Sequence, residues 1–269
     1  MNVFMMWYQG FDRAPTLIRR LHSIWQHQLQ DDPALKATFL TGPDADDLIQ
    51  SQGIDPTGLT MQVRANLVRV HLLAEKGGVW VDATLLPSRP LSVWLSPEVR
   101  SSGFFAFRNR AHDRLLSNWF LFADRGNYAI TRWRDIYFDY FRSPRKLNKH
   151  APWHIFAAQE LRAFVNPASF GSPRIAQSSP YYPYRVQHYL FAYLHQSDPK
   201  FAQVWKQTPF QDGSAAGLLK KTITQSKKSA SESDIRAILQ RAPVHKLNWR
   251  KSDQFDGVLD LVERQTVTD

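Results

Sequence analysis

Arg64-Ala-Asn-Leu-Val-Arg-Val-His-Leu-Leu-Ala-Glu-Lys-Gly77-Gly78-Val-Trp-Val-Asp82-Ala-Thr84 reads as a helix, a break and a strand that ends in a carboxylate. Leu67, Val70, Leu73 and Ala74 recur at helical spacing, and the glycine pair stops the helix. Val79-Trp80-Val81 is a short run of residues that favour extended backbone, and it delivers Asp82 to a strand end. Open α/β sheets bind ligands beyond the carboxyl ends of their strands, so Asp82 stands where a metal ion or a phosphate-bearing ligand is handled. The plain alternative for Asp82 is a turn or helix N-cap residue, a role aspartate often fills.

Working outward, Val3 to Tyr8 predicts a first strand, and Ala14-Pro15-Thr16 opens a helix to about Leu29 with Leu17, Ile18, Leu21 and Trp25 on one face. Lys36 to Thr41 predicts a second strand, Asp44 to Gln50 an acidic helix, and Leu59 to Glu75 the helix before the glycines. Alternating strands and helices predict an α/β fold with a mostly parallel sheet. Beyond Thr84, Gly103 to Arg108 predicts a strand, Leu115 to Phe122 a strand or short helix, and Ala129 to Phe141 a helix with an aromatic face. Ser143 to Asn148 reads as basic loop. Trp153 to Val165 and Val186 to Leu194 read as helices around a long Pro/Ser/Tyr-rich loop, Ser169 to Tyr184. From Gln211 to Asp234 the composition turns to Gly, Ser, Ala, Lys and Thr, which predicts a mobile segment around a short helix. Its functional reading is a lid, and its plain one a surface insertion. No fixed-period repeat is present, which argues against a solenoid.

The 269 residues are 43% hydrophobic, with nine Trp, nine Tyr and seventeen Phe, enough for a substantial core. The N-terminal stretch lacks a basic region followed by a cleavage site, no apolar run is long enough to span a bilayer, and cysteine is absent. These features predict a cytoplasmic protein whose chemistry rests on carboxylates, histidine, hydroxyls or a bound ion. The net charge of +10 implies an anionic partner, and its basic residues, among them Arg13, Arg64, Arg110 and Lys146, are spread along the chain. Peripheral association with the inner face of a membrane would use that charge; the plain reading is a solvated surface. No nucleic-acid motif accompanies the basic residues, so no nucleic-acid partner is expected.

The sequence R-x-N-L-V-R-x-x-L-L-x-x-x-G-G-V-W-V-D-A-T resembles the core of the capsular polysaccharide synthesis glycosyltransferases, which look related to glycosyltransferase family 32. In those enzymes an S-D-x-x-R helix leads through Gly-Gly to a D-x-D motif, or D-A-T in the capsular branch. Trp7-Tyr8-Gln9-Gly10 with Ala14-Pro15 is similar to the family's opening strand and turn, and Ser117-Asn118-Trp119-Phe120 to the segment after the donor site. Tyr189 to Leu194 with Ser197-Asp198-Pro199, and Pro243-Val-His245-Lys246-Leu247-Asn-Trp249, resemble later elements in the same order. The resemblance spans roughly residues 3 to 250. It implies a GT-A-like Rossmann-type sheet with helical C-terminal additions. The expected organisation is one domain over residues 1–250, with donor binding in about 1–110, the acceptor side in 111–250, and a tail at 251–269.

The resemblance implies transfer of a sugar from a nucleotide-sugar donor, such as a UDP-sugar, to a glycan or lipid-linked acceptor with retention. The other reading is a non-catalytic sugar-nucleotide or polysaccharide-binding partner. Donor contacts are then expected from Gln9 and Gly10 at the end of the first strand, and from Asn66, Arg69, Asp82 and Thr84. Arg69 suits phosphate because its planar fork binds two oxygens at once. Thr84 stands where D-x-D has its second carboxylate, so affinity for Mn²⁺ or Mg²⁺ is expected to be lower unless a further ligand assists Asp82. Asn66 stands at the family's Asp, which reduces an ion pair with Arg69 to a hydrogen bond and is expected to alter donor affinity or selectivity. His245 is the expected second metal ligand; its alternative is a histidine packed beside Trp249. Asn118 and Trp119 are expected on the acceptor or sugar, which amides and aromatic faces commonly grip. Arg64 and His71 read as solvent-facing helix residues. No carboxylate is identifiable as a nucleophile, with Asp113, Asp124 and Glu160 as mere possibilities.

Overall fold

The computed structural model describes residues 1–109, 111, 113–225 and 230–266; Arg110, His112, residues 226–229 of the Gly/Ser/Lys-rich segment and residues 267–269 lie outside the described residues. The amino-terminal half runs β1 (Asn2–Met6), α1 (Thr16–Gln30), β2 (Lys36–Leu40), α2 (Gly42–Ser51), α3 (Met61–Lys76) and β3 (Gly78–Asp82). It continues through β4 (Leu85–Pro87), α4 (Leu91–Trp94), β5 (Phe104–Arg108), β6 (Leu116–Ala123) and α5 (Tyr128–Phe141). Then follow β7 (Lys146–Leu147), α6 (Trp153–Val165), α7 (Pro173–Ala176), β8 (Tyr181–Tyr182), α8 (Val186–Ser197) and α9 (Pro199–Gln207). The chain closes with α10 (Ser214–Gln225), α11 (Glu232–Leu239), β9 (Val244–Lys246) and α12 (Asp256–Thr266).

The central sheet has the order β2-β1-β3-β6-β5. β1 is parallel to β2 and β3, while β6 is antiparallel to both β3 and β5, so four of the five strands point one way. Side chains alternate between the faces of a strand, and the core divides accordingly. Phe4, Met6, Trp80 and Leu121 pack with residues of α2, α3, α5 and α8. Val3, Met5, Val79, Val81 and Phe122 pack instead with Ile18, Trp25 and Leu29 of α1. The result is the α/β sheet flanked by helices that the sequence alternation implies.

The Gly77-Gly78 break sets the approach of α3 to the sheet. Gly77 (φ +63°) closes α3 through its N–H to the Leu73 carbonyl at 3.1 Å, and Gly78 follows at φ +112°. A Cβ on Gly77 would lie 2.5 Å from the Arg125 nitrogen, and one on Gly78 2.2 Å from the Asn2 oxygen. Both positions need positive φ and close backbone approach, which only glycine supplies.

Several connections are more ordered than the composition suggests. Leu115 to Phe122 resolves as a strand, because its apolar residues continue the alternating pattern of the sheet. The loops 143–148 and 169–184 contain β7 and β8, which pair in parallel, and the short α7 capped by Ser172. Ser197-Asp198-Pro199 not only ends α8 but starts α9, with the Asp198 carboxylate accepting from the Phe201 N–H at 3.1 Å and Pro199 in the first turn. The described part of 211–234 is largely helical; α10 buries Ala216 and Leu219.

The described part of the stretch expected as a tail, residues 251–266, instead contributes to the core. Phe255, Val258, Leu259, Leu261 and Val262 recur at helical spacing and are buried with Leu17 and Leu21 of α1. Arg20 reinforces the contact, donating to Asp260 at 2.6 Å and to Glu263 at 2.7 Å. Leu259→Ala should therefore cost about 3 kcal/mol, as for other large-to-small changes at closed core sites. A denaturant midpoint unchanged from wild type would refute the packing of α12.

Candidate functional site

Asp82 closes β3 and receives three donors. Arg69 Nη2 reaches Oδ1 at 2.6 Å, Trp80 Nε1 reaches the same oxygen at 3.0 Å, and Lys246 Nζ reaches Oδ2 at 2.6 Å. Arg69 comes from the buried face of α3, where Nη1 also donates to Asn66 Oδ1 at 2.7 Å and its guanidinium lies 4.9 Å from the Trp80 ring centroid. Lys246 arrives from the far end of the sequence through the β4–β9 ribbon, whose register sets it opposite Leu85. The ribbon itself is tied down by Trp25 Nε1 donating to the Leu85 carbonyl at 2.8 Å. Burial opposes the charge of Asp82, but attraction first to Lys246 and then to Arg69, with their hydrogen bonds, holds its carboxyl below the usual range. Burial pulls the Lys246 ammonium down against the attraction of Asp82.

A cluster of amides adjoins this ion triad. Asn118 Nδ2 on β6 lies 2.6 Å from Gln187 Oε1 and 3.5 Å from the same Asn66 oxygen that Arg69 holds. Gln187, in the first turn of α8, is buried. Beside it Arg185 pairs with Asp113, which also meets Arg114 at 3.3 Å. Burial, together with Arg114 and Arg69, drives the His188 imidazole down to about 3, so it is neutral at physiological pH. Arg69 Nε, Thr84 Oγ1, Gln187 Nε2 and His188 Nδ1 are buried polar atoms with no hydrogen-bond partner among the described residues. Buried polar atoms of this kind need a partner that the protein itself does not supply; others, such as His22 Nε2 and Trp94 Nε1, occur away from this cluster.

The structure thus gathers Asn66, Arg69, Asp82 and Asn118. Thr84 follows at a buried position, its carbonyl accepting from the Leu247 N–H at 2.9 Å. Gln9 is exposed on the turn after β1 and donates to Met61 Sδ at 3.4 Å, and Gly10 closes that turn at φ +81°. Both lie beyond Met6, the register partner of Asp82; Trp7 there meets Trp249 edge-on at 5.8 Å. Trp119 is not with Asn118: its ring stacks on Phe107 at 4.8 Å, in the layer that holds α1.

His245 is the principal correction. It is fully buried with Nε2 3.2 Å from the Leu239 carbonyl, and burial pulls its imidazole down. Neighbouring strand residues point to opposite sides, so the register that aims Lys246 at Asp82 turns His245 away. Nor are Arg64 and His71 solvent-facing: Arg64 bonds Asp46 at 2.7 Å and the Tyr8 hydroxyl, and His71 is half-buried against Phe138. Asp124 is exposed at the opposite end of the sheet, one residue past the Gly78–Ala123 pair, and Glu160 on α6 accepts from Asn148. Lys246 and Gln187 are the site residues that sequence reasoning missed. For Lys246 the signal was the H-K alternation in a strand that returns to Asp82; for Gln187 there was none.

The donor set does not fit a resident divalent ion. Both Asp82 oxygens are engaged by cations or the indole, Thr84 offers a neutral hydroxyl, and among the described residues no three His, Cys, Asp or Glu side chains gather to hold an ion.

Fold and site together define an α/β protein with a charge-paired carboxylate at the carboxyl end of a mostly parallel sheet. The chain belongs to the capsular polysaccharide synthesis protein family, whose profile matches residues 1–160. No curated protein matches it. Among solved structures the PaToxG glycosyltransferase aligns over 76% of this chain and 77% of that one, at 12% identity and a TM-score of 0.34. No described helix is long and apolar enough to cross a membrane.

Proposed function

We propose that the protein transfers a sugar from a nucleotide-sugar donor, a UDP-sugar in the first instance, to a glycan or lipid-linked acceptor, with retention at the anomeric carbon. The observation that carries this reading is the convergence of Arg69 and Lys246, 164 residues apart from Asp82 in the latter case, on one strand-end carboxylate. As the bond from the sugar to the diphosphate breaks, negative charge builds on the departing oxygen while the sugar becomes cationic. Lys246 Nζ and the Arg69 guanidinium are preorganised positive charge for that oxygen, and Asp82 keeps both in place. Asn118 and Gln187, with amide groups to spare, suit the hydroxyls of a sugar. The new bond forms to an acceptor hydroxyl, whose proton leaves with the diphosphate. The absence of cysteine suits work in the cytoplasm.

The test is nucleotide release from a panel of UDP- and GDP-sugars, comparing wild type with Asp82→Ala, in Mn²⁺, Mg²⁺ or EDTA. Release from one donor, lowered about 100-fold or more in the variant, is expected. The metal arms read whether a divalent ion enters with the donor. No release from any donor, together with thermal stabilisation by a free nucleotide, would replace the transferase with a sugar-nucleotide-binding partner. Equal release by Asp82→Ala would remove the proposed site.

A further inference from the structure

We propose that the outward face of α6 docks the protein on an anionic lipid bilayer. The helix is nearly inside out. Of its thirteen residues only Gln159 and Ala163 are buried, whereas Trp153 is 81% exposed, Leu161 63%, and Phe164 and Val165 71% each. At 100° per residue Trp153, Ala157, Leu161, Phe164 and Val165 fall, with His154 among them, in one sector of about 120°, opposite the two buried positions. An ordinary surface helix turns such a stripe to the core. Here it forms an apolar strip about 20 Å long, with a tryptophan at one end, the geometry of a helix lying in a membrane interface.

Charge selects the partner. Residues 142–179 carry Arg142, Arg145, Lys146, Lys149, Arg162 and Arg174 against Glu160 alone, a net +5 out of the +10 of the chain. Arg145 is used internally, donating to the Tyr140 and Ser179 carbonyls, and Arg142 pairs with Asp139. Lys146, Lys149, Arg162 and Arg174 are exposed and form no ion pair among the described residues. Exposed apolar side chains accompanied by four uncompensated cations match an anionic headgroup layer, whereas a second copy of the chain would set those cations against their like. The surface also connects with the site. Gln159 Nε2 donates to the Tyr181 carbonyl of β8 at 2.9 Å, and the chain runs from β8 into the turn of α8 that carries Gln187. Docking through α6 would hold that side of the site close to the bilayer, within reach of an acceptor anchored in it.

The inference needs no donor and is tested without one. The full chain is floated with vesicles of phosphatidylglycerol and phosphatidylcholine, or of phosphatidylcholine alone, beside Trp153→Glu/Leu161→Glu and Lys146→Glu/Lys149→Glu. These positions are exposed, and equal thermal midpoints check that the fold survives. Wild type should float with the mixed vesicles and not with the neutral ones, and each double variant should bind about tenfold or more weakly. Failure of wild type to float, or flotation of both variants like wild type, would overturn the proposal. So would a dimer in light scattering that the Trp153→Glu/Leu161→Glu change dissolves without any vesicle binding.

Discussion

Lys246→Met is expected to lower the rate of transfer by about 10²–10³-fold, the usual loss when a preorganised charge is removed from a developing oxyanion. The same change should leave the fold standing. Asp82 keeps Arg69 at 2.6 Å and Trp80 at 3.0 Å, and the Lys246 side chain is already 27% exposed. Its loss should therefore cost only about 1–2 kcal/mol, less than breaking a fully buried pair. Lys246→Arg separates charge from shape, because it restores the cation with a bulkier head. It should recover part of the rate, and it should do so in kcat rather than in KM, since the charge acts as the bond breaks. His245→Gln serves as the contrast: its imidazole bonds the Leu239 carbonyl and turns away from Asp82, so the rate should follow stability alone. Full activity in Lys246→Met would end the role assigned to the lysine. A large rate loss with normal stability in His245→Gln would return the histidine to the site.

Gly78→Ala carries the largest expected effect on stability. The added methyl meets backbone at 2.2 Å, where no flexible side chain can yield, and φ of +112° is a conformation that alanine resists. A cost of about 4 kcal/mol follows, lowering the melting midpoint by roughly 10 °C in a chain of this size. Gly10→Ala is the internal control. Its φ of +81° is also positive, but beyond its chain neighbours no atom of the described residues lies within 4 Å of the added carbon, so only the backbone term of about 1 kcal/mol remains. Thermal unfolding of the two variants side by side distinguishes steric from conformational demand. Equal midpoints would mean that β1 and β3 can move apart at no cost.

The sheet was legible because its information is local. Val79-Trp80-Val81 and the two glycines state where a helix stops and a strand starts, and Leu17, Ile18, Leu21 and Trp25 mark the buried stripe of α1. Asp82, Arg69 and Asn66 share that locality, since the helix, the break and the strand are contiguous. What escaped the sequence is tertiary. Which of His245 and Lys246 faces Asp82 depends on the register of β9 against β4, and a shift of one residue would exchange them. Gln187 is identified as a neighbour of Asn118 only once α8 has been docked against β6. The pattern Phe255, Val258, Leu259, Val262 was helical in the sequence, but its burial requires the face of α1 that it covers. Trp119 and Asn118 are adjacent in sequence, yet the ring and the amide serve different layers of the molecule.

The β4–β9 ribbon also orders events in time. Residues up to Asp82 contain both Arg69 and the carboxylate it bonds, on a contiguous helix, break and strand. The second cation must await closure of a loop of more than 160 residues, among the slowest kinds of contact to form. A folding intermediate, or a chain interrupted before residue 246, would hold an incomplete charge cluster at Asp82. The molecule therefore has a built-in sequence in which structure precedes competence, and the last strand to join is the one that would confer activity.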